Sequence, residues 1–187
     1  MEKIIAFDKN LLIYLNNLGS PAWDNFWLLI TKQLHWSLFF IIVFYFLMRK
    51  IGWKQFGFVV LFLALLILVT DQLTNFSKFT FQRLRPCSDP TVQNAIRIVQ
   101  ERSSFSFFSG HASNSMASTT FFFLIFRKHY RYAFLLFAFP LIFAYSRIYL
   151  GLHFPIDILV GFMVGVFNGT LFYKLYGYFQ KRYFPIS

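Results

Sequence analysis

Charge is scarce in this sequence. Asp, Glu, Lys and Arg make up 13% of its 187 residues, about half the share of an ordinary soluble domain, and only 7 residues are acidic. A water-soluble domain with a charged shell is therefore excluded. Cysteine occurs once, as Cys87, which rules out an intrachain disulfide and any metal site built from cysteines alone. No internal repeat, low-complexity tract or change of composition divides the chain, so 1–187 reads as a single domain. A cleavable signal peptide is not expected, because the first segment is broken by Asp8, Lys9 and Asn10 and lacks an uninterrupted apolar region.

Apolar residues fill the space. They make up 57% of the chain, Phe alone occurs 29 times, and the mean hydropathy is +0.54. They come in long blocks, which points to a bilayer rather than to a large core. The net charge of +11 suits anionic lipid head groups or a phosphorylated substrate. Nucleic acid is a poor partner for it, since the basic residues flank apolar blocks instead of forming one stripe.

The spacing predicts an all-α polytopic membrane bundle: five spanning helices and an N-terminal interfacial amphipathic helix over 1–19. In that first helix Ile4, Ile5, Leu11, Leu12, Leu15 and Leu18 lie near one face, with Glu2, Lys3, Lys9, Asn16 and Asn17 mostly on the other. The spans run from about Trp23 to Met48, Phe56 to Phe76, Gly110 to Phe126, Tyr132 to Tyr149 and Pro155 to Leu175, each near the ~20 residues a bilayer requires. Alternating crossings then put the long link over 77–108 and the short one over 151–154 on one side. The other side receives Arg49, Lys50, Lys54, Arg127, Lys128, Arg131, Lys181 and Arg182, which makes it cytoplasmic. The polar links then face outward, into a periplasm or an extracellular space.

Three clusters on the outward side carry chemistry. "KFTFQRLRP" sets Lys78 seven positions before Arg85, "FSGH" covers Phe108 to His111, and "SRIYLGLHFPID" supplies Ser146, Arg147, His153 and Asp157. Each alone has a plain reading. Lys78, Arg83 and Arg85 fit snorkelling anchors, Ser109 and Gly110 a helix cap, and His153 with Asp157 a structural i,i+4 pair. Together they match the needs of phosphoryl transfer: cations on the phosphate oxygens, an in-line nucleophile and a proton donor for the leaving oxygen. Lys78, Arg85 and Arg147 supply charge, and backbone N–H groups at Ser109 and Gly110 make an anion site at a helix start. Asp157 can orient one nitrogen of His153 and leave the other free to attack, while His111, with no acid nearby in sequence, is the proton donor. No metal site and no cofactor are expected, because no ligand spacing is present and the cations occupy a metal's place.

In order and spacing these stretches resemble the signature of the type-2 phosphatidic-acid phosphatase family, integral membrane lipid phosphatases that share a phosphate site with vanadium haloperoxidases. The usual pattern is K-x6-R-P, then P-S-G-H, then S-R-x5-H-x3-D. The first and third parts match, and the second departs once, at Phe108 in place of proline. The signature region covers 78–157. The resemblance implies Lys78, Arg85, Arg147, Ser109 and Gly110 on the phosphate, Ser146 in support, His153 as a nucleophile forming phosphohistidine, Asp157 as its partner and His111 as general acid, without a metal. It also implies about six helices, one more than the five full spans.

The substrate expected is a lipid-linked phosphate or diphosphate within the bilayer, with undecaprenyl diphosphate ahead of phosphatidylglycerol phosphate and lipid A phosphate. No obligate protein partner is inferred. A phospholipid-binding or translocating protein without turnover, and a vanadate-loaded haloperoxidase, are the readings of another class. Asp89, Gln93, Asn94, Arg97 and Arg102 read first as a solvated loop and second as head-group contacts.

Overall fold

The computed structural model describes residues 2–183, and among these the chain is helical with no strand. The helices are α1 (Glu2–Asn17), α2 (Asp24–Ile30), α3 (Ser37–Ile51), α4 (Trp53–Phe81), α5 (Gly110–Phe126), α6 (Ala138–Tyr149) and α7 (Pro155–Tyr183), joined by short 3-10 turns and one long link. Three segments are long and apolar enough to cross a membrane, Gln33–Ile51, Trp53–Ala95 and Pro155–Tyr183, with Ala133–Tyr149 as a shorter apolar helix. α5 has 17 residues, which at 1.5 Å per residue covers roughly 26 Å, the lower limit for a ~30 Å hydrocarbon core.

α5 is the axis of the bundle, in contact with α4, α6 and α7. Such a position tolerates small polar residues, and Ser113, Ser115, Ser118, Thr119 and Thr120 are all buried along it. Several bond their own turn: Ser115 Oγ donates to the Ala112 carbonyl at 3.2 Å and Ser118 Oγ to that of Asn114 at 2.9 Å. On α7, Gly161, Gly165 and Gly169 recur every four residues and share one face. A Cβ there would stand 2.9, 2.7 and 2.6 Å from the carbonyl oxygens of Ser109, Ser113 and Ala117. Within lipid, helices associate through such close packing, since burial of apolar surface supplies no driving force between them. The sequence analysis did not single out this stripe, although its signal is there as glycines at i, i+4, i+8.

One expected element differs. The span from Trp23 to Met48 is not continuous: α2 stops at Ile30 and the helix resumes only through a 3-10 turn over Gln33–Trp36. Polar side chains make the break tolerable, with His35 Nδ1 2.8 Å from the Leu29 carbonyl and Trp36 Nε1 donating to that of Ile30 at 2.9 Å. α1 is present and lies outside the segments fit to cross, as expected, and the face it turns to the bundle mixes polar and apolar residues. Asp8, Leu12 and Asn16 are buried, whereas Ile4, Phe7, Tyr14 and Leu18 are more than half exposed. Asn16 explains the orientation, since its Nδ2 donates to the carbonyls of Arg97, Ile148 and Tyr149 and its Oδ1 accepts from Arg97 N–H at 2.6 Å. The exposed apolar residues are left facing outward, as suits a helix beside lipid.

Gly165→Leu is expected to force α7 from α5 and destabilise the protein by about 1–3 kcal/mol, read as a lowered thermal midpoint in detergent. Gly57→Ala and Gly177→Ala, whose surroundings are open, should leave the midpoint in place. An unchanged midpoint for Gly165→Leu would refute this account of the helix pair.

Candidate active site

The α5–α7 contact sets the first geometry of the site. Asp157 lies in the first turn of α7, and its carbonyl accepts the Ser109 N–H at 3.0 Å. Ser109 is the N-cap of α5, and its hydroxyl accepts the Ala112 N–H at 3.4 Å. Both its backbone donor and its side chain are therefore committed to holding the helix start. The uncommitted donors of that turn are the N–H groups of Gly110 and His111. At Gly110 the close approach is to α4, where a Cβ would stand 3.1 Å from Thr74 Cγ2. The anion cradle expected at Ser109–Gly110 thus sits one residue further on.

His153 and Asp157 are 1% and 0% exposed. His153 Nδ1 lies 3.5 Å from Asp157 Oδ2 and 3.4 Å from Ser106 Oγ. On the other side of the ring, Nε2 is 3.0 Å from Arg85 Nη1, a group that can only donate. That network assigns the proton to Nδ1 and the lone pair to Nε2. Burial, with the Arg85 charge adding to it, pushes the His153 pKa down to about 3, against an opposing pull from Asp157. The imidazole is therefore neutral at physiological pH. Asp157 is saturated: Oδ1 accepts Arg83 Nη1 at 2.7 Å, and Oδ2 accepts the Phe154 N–H at 3.0 Å and the Ser106 hydroxyl.

Arg85, 3% exposed, is fixed by the Ser104 carbonyl and hydroxyl and by the Leu152 carbonyl at 2.7, 2.9 and 2.9 Å. Arg147, 1% exposed, donates Nη1 to Thr31 Oγ1 at 2.5 Å, while its buried Nε has no partner among the described residues. The break after α2 is what brings Thr31 there. Lys78, in the last turn of α4, makes no hydrogen bond or ion pair among the described residues. Arg85, Arg102 and Arg147 all lie within electrostatic reach of it, and His111 feels Arg147, His153, Arg102 and Lys78. Ser146 donates to the Phe143 carbonyl at 2.6 Å, so its hydroxyl serves its own helix one residue before Arg147. Phe108, at the position where proline is usual, is buried, and the Phe107–Phe108 peptide is cis.

His111 packs against the Phe143 ring at 5.1 Å between centroids and opens onto two cavities. One, of about 490 Å³, has Thr31, Lys32, Gln33, Gln100 and Arg102 in its wall. The other, of about 230 Å³, is walled largely by Trp36, Phe40, Ile67, Phe139 and Phe143. A polar and an apolar space therefore meet at the histidine. Among the described residues no group of three or more His, Cys, Asp or Glu could hold a metal ion.

Sequence reasoning brought together Lys78, Arg85, His111, Arg147, His153 and Asp157, and the fold gathers them at one end. It missed Ser106, Thr31 and Asp8, and weighed Arg83 only as an anchor. Of the five link residues, Arg97 pairs with Asp24 at 2.9 Å and Asp89 binds Thr91 and Lys9, so both hold structure. Arg102 is the one placed at the site. Lys78, Arg85, Arg102 and Arg147 converge here with the two histidines, and Asp157 beside them is already paired with Arg83, an arrangement that suits an anion of phosphate geometry.

A family model described as the PAP2 superfamily matches residues 57–181. The lipid A 4'-phosphatase of Porphyromonas gingivalis is 33% identical over 190 residues, covering 100% of this chain and 80% of that protein. The lipid A 4'-phosphatase of Bacteroides thetaiotaomicron is 35% identical over 178 residues, covering 92% and 78%. Among solved structures, the PAP2-type phosphatidylglycerolphosphate phosphatase of Bacillus subtilis superposes with a TM-score of 0.72 at 20% identity, over 100% of this chain and 90% of that one. LpxE of Aquifex aeolicus superposes with a TM-score of 0.64 at 23% identity, over 88% and 93%. The helical fold and the converging signature agree with these likenesses, and the chain belongs to the PAP2 superfamily as an integral membrane lipid phosphatase.

Proposed function

We propose that the protein removes the 4'-phosphate of lipid A through a phosphohistidine on His153. The observation that carries the chemistry is the convergence of three motifs around His153 Nε2, with Arg85 Nη1 3.0 Å away. Nε2 attacks phosphorus, and the bond from phosphorus to the leaving oxygen breaks. His111 gives that oxygen its proton. The phosphoryl oxygens are held by Lys78, Arg85, the unpartnered Arg147 Nε and the N–H groups of Gly110 and His111, with Ser109 and Ser146 holding the helix turns that present them. Arg85 moves from Nε2 to phosphate oxygen as substrate enters. Water then attacks the phosphorus, His111 takes the proton of the water, the Nε2–P bond breaks with its electron pair returning to Nε2, and free phosphate leaves.

The substrate reading rests on the names of the relatives from P. gingivalis and B. thetaiotaomicron, which favour lipid A phosphate over undecaprenyl diphosphate. The two cavities meeting at His111 support it, since the leaving group of a glycolipid phosphate is a polar sugar carrying acyl chains. The face is read as periplasmic and the membrane as the bacterial inner membrane, because Lys50, Lys128 and Lys181 line a cavity at the other end of the bundle.

The test is a panel of lipid A bisphosphate, undecaprenyl diphosphate and phosphatidylglycerol phosphate assayed on the purified protein with a chelator present. Lipid A should release its 4'-phosphate fastest, and a higher kcat/KM for either other lipid would overturn the substrate. His153→Ala should lose roughly 10³-fold or more in rate, and full activity in it would overturn the mechanism. In Lys32→Ala/Arg102→Ala the KM for lipid A should rise by about tenfold with kcat little changed, and an unaltered KM would remove these residues from head-group binding.

The buried histidine also makes a stability prediction. Unfolded, His153 gains a proton near pH 6.5, but folded it does not until about 3. The unfolded state binds more protons in that window, so stability falls as pH drops from 6.5 towards 3. Thermal midpoints between pH 7 and 4 should decline more steeply in the parent than in His153→Asn, and equal slopes would contradict it.

A further inference from the structure

The N-terminal helix buries a charge for which neither anchoring nor crossing accounts. Asp8 is 1% exposed and has a defined task for each oxygen. Oδ1 accepts the Ile156 N–H at 2.9 Å, in the first turn of α7, and Oδ2 accepts Arg83 Nη2 at 2.6 Å. The other terminal nitrogen of the same guanidinium, Nη1, donates to Asp157 Oδ1 at 2.7 Å. The guanidinium carbon lies 3.9 Å from the centre of the Phe154 ring, so the fork is held flat against the residue following His153. Asp8 and Arg83 together thus grip the short stretch that carries both members of the dyad.

We propose that Arg83 and Asp8 are positioning residues for His153: α1, through Asp8, fixes Arg83, and Arg83 fixes the Asp157 carboxylate in the orientation that holds the proton on His153 Nδ1. This rests on the reading of His153 as nucleophile. Geometry gives the reason. The His153–Asp157 separation of 3.5 Å is long for a hydrogen bond, so small rotations of the carboxylate decide whether Oδ2 or Ser106 Oγ faces the ring. Arg83 pins the opposite oxygen and removes that freedom. A guanidinium suits the task because its planar fork spans two carboxylates at once, which a lysine ammonium cannot do in the same fixed geometry. Without Asp8, one arm of Arg83 would be released and the fork free to turn away from Asp157.

The test uses the full-length protein in detergent. Asp8→Asn keeps an oxygen for the Ile156 N–H but removes the charge opposite Arg83. Its kcat should fall by roughly 10- to 100-fold, the usual loss when an outer partner of an active-site side chain is removed, with KM within about twofold. Lys9→Ala, which cuts the outer tie of α1 to Asp89 and Thr91, should keep parental kcat. Combined with Asp157→Asn, Asp8→Asn should produce less than about a twofold further loss, because it acts through that carboxylate. The downfield Nδ1–H proton resonance of His153, assigned by its disappearance in His153→Ala, should shift in Asp8→Asn without substrate. Parental kcat in Asp8→Asn, an equal loss with and without Asp157, or an unmoved resonance would each overturn the proposal. Full activity in His153→Ala would instead overturn the nucleophile assignment on which it rests.

Discussion

The contact on which the rest depends is the close approach of α7 to α5. Its three glycines let backbone meet backbone, with a Cβ at Gly169 only 2.6 Å from the Ala117 carbonyl. That approach sets the register between the two helix starts, so Ser109 N–H reaches the Asp157 carbonyl at 3.0 Å. His111 and Asp157 come from signature elements separated in sequence, yet both are fixed by this one seam. The bilayer makes the seam necessary, since helices in lipid gain little from hiding apolar surface and must pack closely or bond across to stay together. Asn168, donating to Thr70 Oγ1 at 3.1 Å, adds the bonding half of that rule between α7 and α4.

Polar groups elsewhere follow the same constraint. Backbone at bilayer depth must find partners inside the protein, and the break between α2 and α3 does so through His35 and Trp36. The break then gains a use, because Thr31 at its edge receives Arg147. Gly151, at φ +76°, lies in the left-handed region and would bring a Cβ within 3.2 Å of the Arg97 carbonyl. This turn directs the chain from Arg147 back to His153, and its carbonyl also accepts the Cys87 N–H at 3.2 Å. The long link after α4 is thereby tied to the loop carrying His153.

What was legible in the sequence divides along physical lines. The charges of the signature could be read because their spacing is local: His153 and Asp157 are one helical turn apart, and Lys78 and Arg85 straddle the end of one helix. The partners that orient them could not, because they are set by tertiary contact. Asp8 and Ile156 are 148 positions apart, Thr31 and Arg147 116, and Ser106 and Asp157 51. Hydropathy placed the apolar segments but averaged over the break at Thr31–Lys32. Amphipathicity found α1 as a helix outside the crossing set, but the tertiary bonds of Asp8 and Asn16 that seat it could not be read from its own sequence.

The finished site separates into two halves of opposite character. On the orienting half the carboxylate is engaged at both oxygens: Asp157 accepts from Arg83, Ser106 and the Phe154 N–H. On the receiving half, among the described residues, Lys78 and Arg147 Nε have no hydrogen-bond partner, and the N–H groups of Gly110 and His111 are uncommitted. A carboxylate tied at both oxygens in this way acts by holding the ring and not by relaying charge. Unsatisfied buried donors, in contrast, are costly until an anion arrives. In the proposed function this is what phosphate binding relieves at Arg147 Nε, and the tied orienting half keeps His153 Nε2 facing the same point.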